Sequence, residues 1–514
     1  MPIIRCPKGA AAEMISAKLD RKLRDHILNS KDNLFSVPSN RPSAASATPS
    51  SRPVLIILDR NVDLIPMLSH SWTYQSLVHD VLKMNLNRIT VETLIDEENP
   101  AKGSTKKAYD LTSNDFFWSK NAGVPFPQVA EDIDAELMRY KEDANEITKK
   151  TGASSIEDLQ NDTSASAQHL KAAITLLPEL RERKAVLDMH MNILAGVLTG
   201  IKNRQLDNFF QLEENIMKQT KSQMLEILNH DAKGKVPMDK LRLFIIWFLS
   251  TEQDVSRAEM EKFEESLKAA GADTTSLAYV RQYVPNFIYL LLYLLVDHRV
   301  RATTRMTMMT SAPSSAPNQA STSTELFRGF SNISSRLTSS LKETGVGANF
   351  ENLISGVKNF LPANRDLTVT KITESIMDPA GASSSAIAKT ENYLYFDPRS
   401  ANARGTMPPP SAARKGEQMP GGLGGGIGGH GPGTGATFGQ RRQGYSEAIV
   451  FTVGGGSMDE YGNLQEWAQR TGAGGSGADK GAGRRRVVYG STELINAEEF
   501  LKLELDKLGT EAAS

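Results

Sequence analysis

The chain carries a single cysteine, Cys6, in 514 residues. That excludes an intramolecular disulfide and any zinc site built from several cysteines, and it suits a reducing compartment. The opening MPIIRCPKG lacks the apolar stretch of a secretory signal. The longest apolar run, Phe287–Val296, is too short to cross a bilayer. Charge of one sign is missing too. With 59 Lys and Arg against 60 Asp and Glu, there is no global electrostatic case for binding nucleic acid. Enzyme signatures are equally scarce: GxSxG, HExxH, GxGxxG and the P-loop lysine are all absent. The eight histidines are scattered, and His79 and His190 fall in helical patterns, where a surface or core role outweighs metal ligation. The expectation is therefore no cofactor and no metal.

What the chain does have is organised around Arg52–Leu68, RPVLIILDRNVDLIPML. Val54–Leu58 is aliphatic on both faces, the pattern of a buried parallel strand. Asp59 ends it, and Arg60, Asp63 and Pro66 follow, at the carboxyl edge where α/β proteins often keep ligands. Asp59 and Asp63 could serve as acid and base or hold a hard cation. A phosphatase-type pair, however, needs Asp where Asn61 stands. The preferred reading is a structural corner, with Asp59 capping a turn or pairing with a neighbour. Gly454–Gly456 sits between a strand and a helix and could cradle a phosphate. Three glycines there more often serve only the backbone.

At this length two to four domains are expected. An amphipathic helix, Ala11–Leu28, places Met14, Ile15, Leu19, Leu23 and Ile27 on one face. From Ser71 to about His298 nearly everything has helical periodicity. Strands return at Glu447–Val453 and Arg485–Tyr489, with helices at Asn463–Arg470 and Ala497–Leu508; Phe500, Leu501 and Leu505 share one face of the last. The stretches 36–51, 310–324, 405–443 and 471–483 are rich in Ser, Pro or Gly and read as disordered. The order α/β, helical, α/β predicts a parallel-sheet domain split in sequence, residues 1–70 and 391–514, with a helical domain, 71–390, inserted into it.

Two stretches point to interaction. Val129, Ile133, Leu137, Tyr140 and Ile147 are spaced by three, four or seven, on a long helix whose other positions are acidic. Thr151–Gly152 breaks it. A second long helix runs past Leu177, is interrupted by Pro178 at a cost of ~3 kcal/mol, and continues with Leu180, Leu187, Leu194 and Ile201. The two form a helical hairpin. Its apolar seam faces either the protein's own core or a coiled-coil partner. Further on, Leu326, Phe327, Phe330, Ile333, Leu337 and Leu341 share one helical face, opposite serines with few charges. That pattern suits a helix that senses lipid-packing defects, or one docked on the protein itself.

Leu55–Leu82, LIILDRNVDLIPMLSHSWTYQSLVHDVL, closely resembles the strand-to-helix passage of the SM (Sec/Munc) family of SNARE regulators. Ile449–Arg470 and Val487–Leu505 resemble the two closing segments of that family's second domain. Ser355–Pro362, Ile376–Pro379 and Tyr393–Arg399 further resemble the Sly branch, which serves ER–Golgi fusion. The resemblance covers nearly the whole chain. It implies a non-enzymatic, arch-shaped cytoplasmic protein, peripheral to ER and Golgi membranes and transport vesicles. Such a protein binds a Qa-SNARE of the syntaxin type in its cavity and an R-SNARE along the hairpin, here 125–187 with Val129, Ile133, Leu137, Leu177, Pro178, Leu180 and Leu187. It thereby templates the assembled SNARE bundle for docking and fusion. The insert 301–385 would lie over that groove as a lid and reach vesicle membrane through Leu326–Leu341. The competing reading is a nucleotide- or metal-dependent α/β enzyme working at Asp59, Asp63 and Gly454–Gly456. One departure stands out: Met1–Gly9 resembles an internal segment of the second domain, so the family's first domain and the start of the second are expected to be absent. An exposed sheet edge and reduced stability would follow.

Overall fold

The structure is a computed structural model. It describes residues 1–29, 52–94, 104–151, 167–230, 236–251, 253–282, 366–379, 381–390, 392–400, 404–405, 444–472 and 485–514. The insert 301–385 thus lies outside the described residues except for its last part, and so do all six residues of the Leu326–Leu341 helix.

The sheet has five strands in the order β5-β1-β2-β6-β7: β1 (Ile3–Cys6), β2 (Val54–Asp59), β5 (Leu394–Phe396), β6 (Glu447–Val453) and β7 (Arg486–Ser491). β1, β2, β6 and β7 run parallel, and β5 closes one edge antiparallel. The aliphatic run of β2 occupies the centre, as its lack of a polar face requires. The chain leaves the sheet after β2, returns first at its edge in β5, and then in β6, hydrogen-bonded to β2 from Val54↔Ala448 to Asp59↔Val453. The split domain expected from the sequence is therefore one continuous sheet.

One sheet face packs Val54, Ile56, Leu58, Ala448 and Val450 under Val369, Ile372, Ile376, Leu464 and Trp467. The other packs Ile4, Cys6, Ile57, Leu394 and Phe396 under Ala12, Leu19 and Leu23 of α1 (Ala11–Asn29). On that second face a cross-strand row runs Phe396–Ile4–Leu55–Ile449–Val488. It is buried beneath α1 at Ile4 and opens to solvent at Ile449 and Val488, which are 38% and 46% exposed.

Between β2 and β6 lie α2 (Ile65–Leu68), α3 (Tyr74–Val81), a two-stranded ribbon of β3 (Arg88–Leu94) and β4 (Ser104–Asp110), α4 (Phe116–Asn121), α5 (Phe126–Thr151) and α6 (Ala167–Arg204). Then come α7 (Leu206–Glu214), α8 (Lys221–Asn229), α9 (Pro237–Ser250), α10 (Arg257–Ala269), α11 (Thr368–Met377) and α12 (Ser384–Thr390). After β6 follows α13 (Met458–Gly472), longer than the helix expected there. The chain ends in a helix made of Ala497–Glu499, a π-helical stretch Phe500–Leu505, and Asp506–Ala513.

Four expectations change. The block after Ser71 is not uniformly helical. Ile89 and Val91 alternate with exposed Thr90 and Glu92, a period of two that seats β3 on the helices. The helical domain does not extend to 390: α11 belongs to the sheet layer, because its Val369, Ile372 and Ile376 cover β2 and β6. The C-terminal helix crosses the other way. Phe500, Leu501 and Leu505 complete the core made by α2 and α7–α10. There Gly509 comes so close to Thr275 that an added Cβ would sit 2.1 Å from its carbonyl oxygen. Finally, α1 is turned about its axis. Ser16, Asp20 and Arg24 face inward, while Met14 and Leu28 are 74% and 81% exposed. Arg24 sets this orientation, donating to the Ser400 and Asp397 carbonyls at 2.5 and 2.6 Å. A buried, fully bonded guanidinium outweighs the weak pull of a partly covered apolar face.

Candidate functional site

At the corner most groups that could do chemistry are engaged within the fold, although Asp59 Oδ2 and Arg60 Nε are buried without a hydrogen-bond partner. Asp59 Oδ1 accepts the Ala12 N–H at 2.9 Å, so a carboxylate of the chain itself occupies the start of α1. Burial raises the Asp59 pKa, against the opposing pull of the Ala12 and Ala11 amides. Arg60 is buried. Its guanidinium forms a fork with Glu460 at 2.9 and 2.7 Å and donates to the Asp63 and Gly455 carbonyls at 2.5 and 3.3 Å. Asp63 accepts the Ile65 N–H at 3.0 Å and the Thr368 hydroxyl at 2.7 Å. Pro66 lies in the first turn of α2, where its missing N–H costs nothing. The Gly454 and Gly455 N–H groups, the donors a phosphate cradle needs, both point at Thr492 Oγ1, 3.1 Å away. Both glycines have φ of +97°, and a Cβ on Gly454 would press on Arg60 at 2.9 Å. The corner is a joint that ties β2, α2, α11 and α13 together. Among the described residues no cluster of three or more His, Cys, Asp or Glu could hold a metal ion.

The helix pair exists as α5 and α6, joined through 152–166, which lies outside the described residues. Arg183 bridges the pair, reaching Asp143 at 2.6 Å and Glu136 at 3.3 Å. The assigned α6 helix continues through Pro178. At 1.5 Å per residue its 38 residues span about 57 Å. The apolar seam faces the protein's own core: Val129, Ile133 and Leu187 are fully buried and Leu137 packs against them. Leu180 is buried as well, and Pro178 is exposed. The side chain of Leu177 lies outside the described residues. What α6 offers to solvent beside Pro178 is a mixed-charge strip of Glu179, Arg181, Glu182 and Lys184.

Two buried polar groups escaped sequence reasoning. His190 of α6 links Tyr74 and Asp115, each 2.9 Å from a ring nitrogen. All three are buried, and burial pushes the Tyr74 hydroxyl well above its ordinary pKa. This chain of groups therefore fixes α3, α4 and α6 to one another. The second group centres on His70, just past the corner. Its Nδ1 meets a Glu213 carboxylate oxygen and its Nε2 lies 3.1 Å from Asp239. Arg204 and Arg242 hold Asp239 and Asp80, and Arg242 also donates to the Leu68 and Ser69 carbonyls at 2.7 and 2.9 Å. A signal was present: Asp239, Lys240 and Arg242 stand in the first half of a largely apolar α9, and buried charges there need partners.

Comparison with known proteins agrees with this architecture. A family profile described as the Sec1 family matches residues 1–503. The chain is 44% identical over 502 residues to Protein sly1 of Schizosaccharomyces pombe, covering 98% of this chain and 67% of that protein. It is 33% identical to Protein SLY1 of Saccharomyces cerevisiae, covering 100% and 68%. Among solved structures, Sly1p in complex with an N-terminal peptide of Sed5p is 30% identical with a TM-score of 0.63, covering 100% of this chain and 65% of that one. Vps45 in complex with the Qa SNARE Tlg2 shares the fold at 16% identity and a TM-score of 0.54, covering 100% and 67%. The chain spans about two thirds of the length of the relatives it matches.

Proposed function

The chain belongs to the Sec1 family, and from that premise we propose that it is a non-enzymatic SNARE-binding regulator that promotes vesicle docking and fusion in ER–Golgi transport. The observation that carries the reading is the 44% identity to sly1 of S. pombe over nearly the whole chain. The Sly1p structure holds an N-terminal peptide of Sed5p and the Vps45 structure holds the Qa SNARE Tlg2, which supports a Qa-SNARE as the first partner. The enzyme alternative has little behind it, since Asp63 and the Gly454 and Gly455 N–H groups are spent on internal bonds and Asp59 Oδ1 accepts the Ala12 N–H.

The finer parts of the reading are proposals as well. An R-SNARE helix lies along α5 and α6, held by the exposed strip Glu179, Arg181, Glu182 and Lys184 rather than by Val129, Ile133 and Leu187, which support the helices from within. Brought beside the Qa-SNARE, it starts the four-helix bundle. The insert 301–385 covers this strip as a lid, and its Leu326–Leu341 face binds vesicle membrane, which opens the strip and keeps the protein peripheral on ER and Golgi membranes. Among the described residues no helix is long and apolar enough to cross a membrane.

The test is co-elution of the full chain with early-secretory Qa- and R-SNARE motifs, with and without R181E/E182K. Binding of both, with the R-SNARE selectively weakened by the double substitution, is expected. Absence of any SNARE binding overturns the proposal, and an R-SNARE indifferent to the substitutions moves its site off α6. Flotation of the full chain with small, highly curved vesicles tests the insert, with L326E/F327E expected to lose the vesicles.

A further inference from the structure

The cluster around His70 is largely buried, charge-balanced and attached to the foot of the helix pair. His70 and Asp239 side chains are 1% and 0% exposed. Neutral imidazole carries one N–H and can donate to one acceptor only. Here both ring nitrogens face carboxylates, Nδ1 toward Glu213 and Nε2 toward Asp239 at 3.1 Å, while the backbone N–H of the same residue donates to Glu213 at 2.9 Å. Only imidazolium satisfies both carboxylates at once. With His70 charged, the enclosed set holds three cations, His70, Arg204 and Arg242, against three anions, Asp80, Glu213 and Asp239. Removing the proton leaves one negative charge without a counterpart where water does not reach.

The cluster also contains the last residue of α6. Arg204 donates to Asp239 at 3.0 and 2.6 Å and to Asp80 at 3.3 and 3.4 Å. One carboxylate therefore serves both His70 and the end of the helix that bears Pro178. From Arg204 back to Pro178 is about 39 Å of helix at 1.5 Å per residue. A tilt of about 5° at the foot displaces the strip beside Pro178 by roughly 3 Å, enough to break a row of hydrogen bonds.

We propose that His70 is a positioning residue, a protonated latch that sets the angle of α6 and so the affinity of the strip beside Pro178 for an R-SNARE helix. The proposal rests on the R-SNARE reading above. The groups facing His70 come from each packed element: Asp80 of α3, Arg204 of α6, Glu213 of α7, and Asp239 and Arg242 of α9, with the Phe209 ring stacked at 5.0 Å. Lys240 turns away to the Leu228 carbonyl. His79, next to Asp80 and Glu499, titrates in the opposite sense, since burial lowers its pKa. For His70, burial and the Arg242 charge favour loss of the proton, and Glu213 and Asp239 outweigh them, so the folded pKa lies above 6.5. Its contribution is therefore complete below pH 6.5 and is lost as pH rises through the folded value.

Two measurements on the full chain test this. In ¹⁵N-histidine NMR, with His70 assigned by its loss in H70Q, both ring nitrogens are expected protonated at pH 6.5; a neutral tautomer at that pH overturns the latch. Binding of an R-SNARE motif is then followed from pH 6.5 to 9. Above the His70 pKa the wild-type affinity is expected to fall by up to about tenfold per pH unit, the limit for one linked proton. H70Q should be flat, at the level the wild type reaches at high pH. Equal, flat profiles overturn the positioning role. Should H70Q fail to fold, E213Q replaces it and is expected to move the break to lower pH; an unmoved break overturns the proposal. A wild type that binds no R-SNARE at any pH defeats the positioning role together with its parent reading, and the NMR result still decides the protonation state on its own.

Discussion

Arg60→Met is the sharpest perturbation of the corner. The substitution keeps much of the volume and removes the guanidinium. It leaves Glu460 with a fully buried carboxylate whose remaining strong contact is the Tyr489 hydroxyl at 2.5 Å. It also strips a donor from the Asp63 and Gly455 carbonyls. Breaking a buried pair by deleting one partner costs about 3–5 kcal/mol, because the other charge stays desolvated and unpaired. The loss should be local to the sheet unit, where Arg60 joins β2 to α13. Hydrogen exchange read by mass spectrometry on β6 and α13 peptides measures it. The predicted loss corresponds to opening that is roughly a hundred- to several-thousand-fold more frequent. The double variant R60M/E460M should recover most of it, since an apolar pair of similar volume is often as stable as a buried ion pair. Exchange in R60M within about threefold of wild type refutes the reasoning, and so does a double variant worse than the single.

Leu187→Ala should cost about 2–5 kcal/mol in urea unfolding, as a core side chain does, whereas R181E/E182K on the exposed strip should stay within about 0.5 kcal/mol of wild type. A stable L187A would mean that the helix pair does not face its own core. Gly509→Ala drives a methyl onto the Thr275 carbonyl, backbone against side chain with no rotamer to relieve it. It should loosen the C-terminal helix, seen as faster proteolysis after Lys507. Cys6 is buried and burial pushes its thiol up to about 11. It should resist a thiolate-seeking disulfide reagent at pH 8 and react fully in urea; prompt reaction of the native chain would show that β1 is not covered as described.

The sheet was legible because its central strands are chemically extreme. A run such as Val54–Leu58 can hardly be anything but buried on both faces, and Glu447–Val453 is its partner. The Asp59–Pro66 corner was legible as structure, because its residues are those that cap and turn chains. The facing of helices was not. Periodicity says which side of α1 is apolar, yet Arg24 and its two carbonyl acceptors decide which side is inward. In the helix pair the same periodicity marked Val129, Ile133 and Leu187 correctly as a seam without saying that the seam is already filled. β3 and β4 are seven-residue segments whose alternation was swamped by long helical neighbours. The His70 cluster could not be read at all as a unit, because its six charged members come from five separate stretches of the chain and only folding brings them together.

The C-terminal helix has a consequence for how the chain is made. Phe500, Leu501 and Leu505, with Ile495, complete a core whose remaining members, from Leu64 to Val280, leave the ribosome well over two hundred residues earlier. β6, the parallel neighbour that the central strand β2 needs on one side, and β7 beyond it also arrive late. Neither unit can close before these segments emerge, although domains usually fold as units during synthesis. Until Phe500–Leu505 emerge, the nascent polypeptide presents apolar surface of both units, the kind of surface that chaperones bind. A premature stop even slightly upstream of Phe500 would leave the helical block, not merely the tail, without its last wall.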